Sequence, residues 1–218
     1  THTQGTEDGA LVITLMQDFI RAIRSRVRPQ DALASVAEAW LEQGATESEG
    51  SNAGPDVSWF IHDGGGRPSK RPPWCAYFVS SCCRQVARAG HAVEYVRTGR
   101  AVSHWIKAPP ERQVSRDDIW DEPAYRGLIF VRTRMSKPET DRLKVLDGIN
   151  RQGHTGIVVD IDIEARTVTC VAGNSSGYGH SRVRGGGAVA KEVMTEGDEA
   201  WGRLVGFVRV TPQPGEEA

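Results

Sequence analysis

Apolar side chains at Val12, Leu15, Met16, Phe19, Ile20, Ile23 and Val27 recur every three or four residues, which predicts an amphipathic helix over 11–27 that Pro29 ends. A second stripe, Leu33, Val36, Ala37, Trp40 and Leu41, follows Asp31 as N-cap and stops at Gly44, so the two segments read as a helical hairpin. The next stretch, ATESEGSNAGPDVSWFIHDGGGRPSKRPP, is rich in turn formers around one short helix opening at Pro55. Phe78, Val79, Cys82, Val86 and Ala87 then share one face of a helix that starts at Cys75 and ends at Gly90. After a short amphipathic segment, GRAVSHWIKAPP, the texture changes to β-type runs: GLIFVRT (127–133), TGIVVDIDI (155–163), TVTCVAG (167–173) and RLVGFVRV (203–210). A charged stretch from Arg134 to Gln152 and a glycine-rich loop from Gly177 to Gly187 interrupt them. Helices first and strands later predict an α+β domain with an antiparallel sheet.

Composition bounds the partners. With 218 residues, 39% of them apolar and 25% charged, the chain can bury one good-sized core. A net charge of −1 with interspersed signs provides no footprint for nucleic acid or an anionic membrane. The longest apolar stretch, Leu11 to Met16, is far below the roughly 20 residues of a membrane span. The chain opens at Thr1 without Met, the pattern expected once a leader or larger parent has been removed, so the compartment is not read from its start. Four cysteines are too few for a disulfide scaffold and are expected as free thiols; their spacing fits neither a redox pair nor a zinc site.

Three of those cysteines fall in PPWCAYFVSSCC, residues 72–83. Only Cys75 stands at a helix start, where unpaired N–H groups and the helix dipole favour a thiolate; Pro72 and Pro73 prevent the helix from extending backwards. Cys82 reads as a small core residue, and Cys170 lies within a strand. A thiol needs a base, and six histidines compete for that role. His2 lies in a polar tail, His62 and His91 flank helix ends, His104 sits in SHWIK, and His180 is in the glycine-rich loop. His154 stands at the mouth of the strongest strand, in QGHTGIVVDID, between glycines 153 and 156. On spacing alone it reads equally as a histidine satisfied by a turn carbonyl. Pairing 155–163 with 167–173 as a hairpin returns Asn174 to the neighbourhood of His154, where its amide oxygen could accept the other imidazole N–H. The competing reading of GNSS is a simple Asn-Ser turn. Trp74 reads either as a wall of the cleft or as packing. The chemistry calls for no metal and no cofactor.

PWCAYFVSSC, GHTGIVVDID and VAGNSS, in that order, resemble the CHAP and NlpC/P60 cysteine amidases and peptidases, papain-like enzymes that cut the peptide part of bacterial cell walls. GSNAGPDVSWF, SHWI and LVGFVRV extend the likeness over roughly residues 47–210. The resemblance implies a papain-like fold with the nucleophile at a helix N-terminus against an antiparallel sheet. It implies Cys75 as nucleophile, His154 as base and acid, Asn174 as the residue orienting the imidazole, and peptidoglycan as substrate, cut at a secreted, periplasmic or phage-released location. The implied organisation is an N-terminal helical extension (1–45), a catalytic domain (46–212) and a tail (213–218). An inhibitor or immunity protein is a further expected partner. Two features depart from the pattern: many CHAP members carry Glu where this chain has Ala172, and the 134–152 insertion is longer than a simple turn. A thiol amidase with another substrate, or a binding module on a weakened catalytic scaffold, remain the alternatives.

Overall fold

Pro29 opens a helix. The computed structural model describes residues 27–133, 153–175 and 187–211; the helix expected at 11–27 (but for Val27), the 134–152 stretch and most of the glycine-rich loop lie outside them. Helix α1 spans Pro29–Glu42, with Arg28 as its N-cap and Asp31 inside its first turn, accepting from Arg28 Nε at 2.8 Å. Proline suits that first turn because the N–H it lacks would have no acceptor there, so the expected cap at Asp31 moves back three residues. Leu33, Val36, Ala37 and Trp40 are its buried stripe.

Helix α2, Pro55–Asp63, opens at the expected proline, and α3 runs from Cys75 to Arg88. Asp63 ties the two together: its carboxylate accepts from Ser81 Oγ at 3.0 Å and from Arg88 Nη1 at 2.8 Å, so the end of α2 is pinned to the flank of α3. The chain leaves α3 through Gly90, whose φ of 94° is the left-handed conformation that favours glycine after a helix end. Helix α4, Ala101–Ile106, falls in the short amphipathic segment, and a single turn, α5 (Glu199–Gly202), is capped by Asp198, which accepts from the Trp201 N–H.

The strands are β1 Gln113–Val114, β2 Ile129–Thr133, β3 Gly153–Asp162, β4 Thr167–Ser175, β5 Ala188–Thr195 and β6 Leu204–Val208, in one antiparallel sheet of order β1-β6-β2-β3-β4-β5. The fold is therefore α+β. Four strands match expected runs; β1, on QV, and β5, on AVAKEVMT, are new. Helices α1, α3 and α4 pack on one face, where Val131, Ile157 and Val171 meet Phe78, Val79 and Trp40, and α2 packs on α3. The other face carries Phe130, Val158, Cys170, Ala172, Met194 and Phe207 in a second, smaller core. The segment 45–47 guards the start of the edge strand β5: Val189 N–H donates to Ala45 O and Glu47 N–H to Gly187 O. Among the described residues no helix is long and apolar enough to cross a membrane.

Candidate active site

Pro72 and Pro73 lead into Trp74, the N-cap, and Cys75, the first residue of α3. The first intrahelical bond is Phe78 N–H to Trp74 O at 2.8 Å, so the N–H groups of Cys75, Ala76 and Tyr77 have no carbonyl within the helix to take them. The thiol is almost completely buried (6% exposed) and meets β3 at its first residues. It is hydrogen-bonded to the His154 imidazole and receives the N–H groups of Thr155 and Ala76.

His154 stands directly opposite Arg132 on β2, with its ring 5.8 Å from that of Phe130. Its Nε2 lies 2.8 Å from Glu192 Oε1, which leaves Nδ1 to face the thiol. Glu192, on β5, is buried, and its two oxygens have different partners. Oε1 takes His154 and the hydroxyl of Ser175 (2.5 Å), whereas Oε2 forms an ion pair with Arg132 Nη2 at 3.0 Å. To reach His154 the carboxylate crosses β4. Its register partner there is Cys170, and the next residue on that face is Ala172, both small. On β3 the crossing passes Gly156, where an added Cβ would come within 2.8 Å of the Ala172 methyl and 2.7 Å of the Phe130 ring.

These contacts set the protonation states. Burial alone would raise the Cys75 thiol, and it is the largest single influence. The hydrogen bond and charge of His154, with the Thr155 and Ala76 N–H groups, together outweigh it and hold the thiol below its ordinary value. Burial likewise disfavours the imidazolium, but the bonds and charges of Cys75 and Glu192 raise His154 to about 9. Glu192 resists burial through the hydrogen bond and charge of His154, the charge of Arg132 and the Ser175 hydroxyl, and falls to about 2. The lowered thiol and the raised imidazole both favour a thiolate–imidazolium pair, backed by the Glu192 carboxylate. The other cysteines are also free, but burial pushes Cys83 beyond the reach of ordinary titration and raises Cys82 and Cys170 well above their usual value.

Cys75 and His154, chosen from the sequence, thus come together. Asn174 does not take the place expected of it. The hairpin brings the end of β4 back towards β3, but Nε2 is occupied by Glu192, and the residue of GNSS that bonds the carboxylate is Ser175. Asn174 adopts a left-handed φ of 56° within a bulge between Ala172 and Ser175, and its Oδ1 packs against Gly187, 2.7 Å from where a Cβ would sit. Trp74 is fully buried, stacked on Phe60 at 5.6 Å, with its indole N–H donating to Glu47 Oε1 at 2.8 Å. It packs the core and offers no face to a substrate.

Of the remaining histidines, His104 is buried beneath the site. Burial lowers it to about 4, against a smaller opposing pull from the Ala76 carbonyl. Sequence reasoning missed Glu192, Arg132 and Ser175. The available signal was a carboxylate at the inward position of an alternating run, Ala190, Glu192, Met194, which a buried strand tolerates only if the charge is paired. Among the described residues no group of three or more His, Cys, Asp or Glu side chains is disposed to hold a metal ion. Comparison with protein-family models, curated proteins and solved structures finds no match.

Proposed function

We propose that this chain is a cysteine hydrolase that cleaves amide bonds of peptidoglycan through a thioester, on a papain-like α+β scaffold. The observation that carries the reaction type is the unbroken chain Cys75 Sγ, His154, Glu192, with the thiol at a helix N-terminus and the imidazole between thiol and carboxylate. The substrate class is drawn from the likeness of PWCAYFVSSC, GHTGIVVDID and VAGNSS to wall-cutting amidases and peptidases.

In the proposed reaction the Cys75 thiolate attacks the scissile carbonyl carbon. The oxyanion accepts hydrogen bonds from N–H groups at the start of α3, each such donor typically lowering the barrier by roughly 3 kcal/mol. His154 gives its proton to the departing amine, leaving the acyl group on sulfur. The neutral imidazole then takes a proton from water, whose oxygen attacks the thioester carbon; the C–S bond breaks, the acid is released and the thiolate–imidazolium pair is restored. Glu192 holds the ring and compensates the imidazolium, the role assigned to Asn174 from the sequence. Where many CHAP members carry Glu on β4, this chain has Ala172, and the carboxylate comes from the adjacent strand.

The test is digestion of purified peptidoglycan by the protein and by Cys75→Ala, with products identified by mass spectrometry. Release of stem-peptide fragments by the former alone is expected; identical fragments from both would remove Cys75 from the chemistry, and none from either would remove the wall as substrate.

A further inference from the structure

We propose that Arg132 is a positioning residue of the same site: it clamps the second oxygen of Glu192 and shares that carboxylate's charge, so that His154 can surrender its proton. The proposal rests on the reading of Cys75 and His154 as a reactive ion pair. Arg132 and Glu192 come from β2 and β5, with β3 and β4 between them, yet their side chains meet at 3.0 Å on the face where His154 lies. Arg132 is the register partner of His154 and lies over the Phe130 ring, its guanidinium carbon 5.8 Å from the ring centre, so its path along the sheet is fixed at both ends. The carboxylate is consequently gripped from two sides, with Oε1 towards the imidazole and Oε2 towards the guanidinium.

The charge balance supplies the reason for such a clamp. Facing Glu192 are Arg132 from β2, His154 from β3, and Ser175 and Cys170 from β4; its same-face neighbours on β5, Ala190 and Met194, are uncharged. With Arg132 absent, a buried carboxylate would have the imidazolium as its one full countercharge among the described residues. His154 would then hold its proton more tightly, which suits a stable ion pair and hinders delivery of that proton to a leaving amine. Arg132 also stands beside His154 and disfavours a second cation there, so both effects act in the same direction. A guanidinium is suited to the post because it stays charged throughout the working range.

The readout is carboxamidomethylation of Cys75 by iodoacetamide as a function of pH, followed at the Cys75 peptide by mass spectrometry on the full chain. The thiolate of the unaltered protein reacts below the pH at which an ordinary thiol ionises, and a second inflection marks loss of the His154 proton. In Arg132→Gln that inflection moves to higher pH by about one unit, roughly a tenfold rise in proton affinity, while Arg132→Lys restores most of it. An Arg132→Gln profile that coincides with the unaltered protein overturns the proposal, as does an Arg132→Lys shift as large as that of Arg132→Gln. If the single neutral variant does not fold, Glu192→Gln is compared with Glu192→Gln/Arg132→Gln. Coupling through the carboxylate predicts that losing Arg132 moves the inflection much less in that background, by the direct repulsion alone, and a separation as large as a full unit refutes it. Wall digestion plays no part in this measurement, so failure of the substrate assignment and failure of the clamp are separately visible.

Discussion

Cys75 ionises against the pull of its own burial, because a ring cation and two N–H groups meet the sulfur. The reactive pair exists between the lowered thiol titration and that of His154 at about 9. Hydrolysis should follow a bell-shaped pH profile in kcat/KM, lost on the acid side as the thiolate takes a proton and on the alkaline side, near 9, as the imidazolium gives one up. Glu192→Gln removes the charge that sustains the imidazolium, so His154 falls and Cys75 rises towards its ordinary value. Turnover should drop about 10²–10⁴-fold, the usual worth of a positioned acid–base group. Asn174→Ala, in contrast, leaves the alkaline limb where it was; a limb that moves as far as in Glu192→Gln would return Asn174 to the imidazole. Cys75 and His154 were legible because each stands at the end of an element. Glu192 was not, because which carboxylate meets an imidazole depends on strands far apart in sequence.

At the scale of elements, α3 is seated on β4 through a glycine. A Cβ at Gly173 would stand 2.5 Å from the Trp74 ring and 2.7 Å from the Phe78 Cβ, so only glycine lets the first turn of α3 approach the strand this closely. Gly173→Ala must displace that turn and with it the thiol. We expect a loss of about 1–3 kcal/mol in denaturant unfolding together with slower Cys75 alkylation near pH 6. Loss of stability with unchanged alkylation would separate the seat from the site. Strand β5 escaped sequence reading because AVAKEVMT mixes residues of weak β-propensity, Ala, Lys and Glu, and becomes a strand by pairing with β4. Helices α2 and α3 announced their starts because proline and terminal position act locally.

For the molecule as a whole, buried titrating groups shape stability against pH. His104 is held neutral, its value lowered from 6.5 to about 4, so its contribution is complete above 6.5 and disappears as pH falls towards 4, where the unfolded chain binds the proton first. Glu192, lowered from 4.5 to about 2, contributes above 4.5 and loses that contribution between there and 2. His154 acts oppositely: raised to about 9, it stabilises fully below 6.5 and ceases to do so as pH climbs through 9. Thermal unfolding should therefore show a midpoint that declines on both sides of a plateau near neutrality. His104→Phe should flatten the decline between 6.5 and 4; an unaltered slope there would take His104 out of the balance.

Local chemistry sufficed for the starts of α2 and α3, four of the six strands, the free thiols, the thiol at a helix tip and the imidazole at a strand mouth, since periodicity, proline and glycine act over a few residues. Tertiary structure alone decided what completes the site. Strand order sets β5 beside β4, small residues at 170 and 172 clear the crossing, and a carboxylate and a guanidinium from opposite sides of His154 meet there. Such a meeting depends on register across four strands, which no short stretch of the chain encodes by itself.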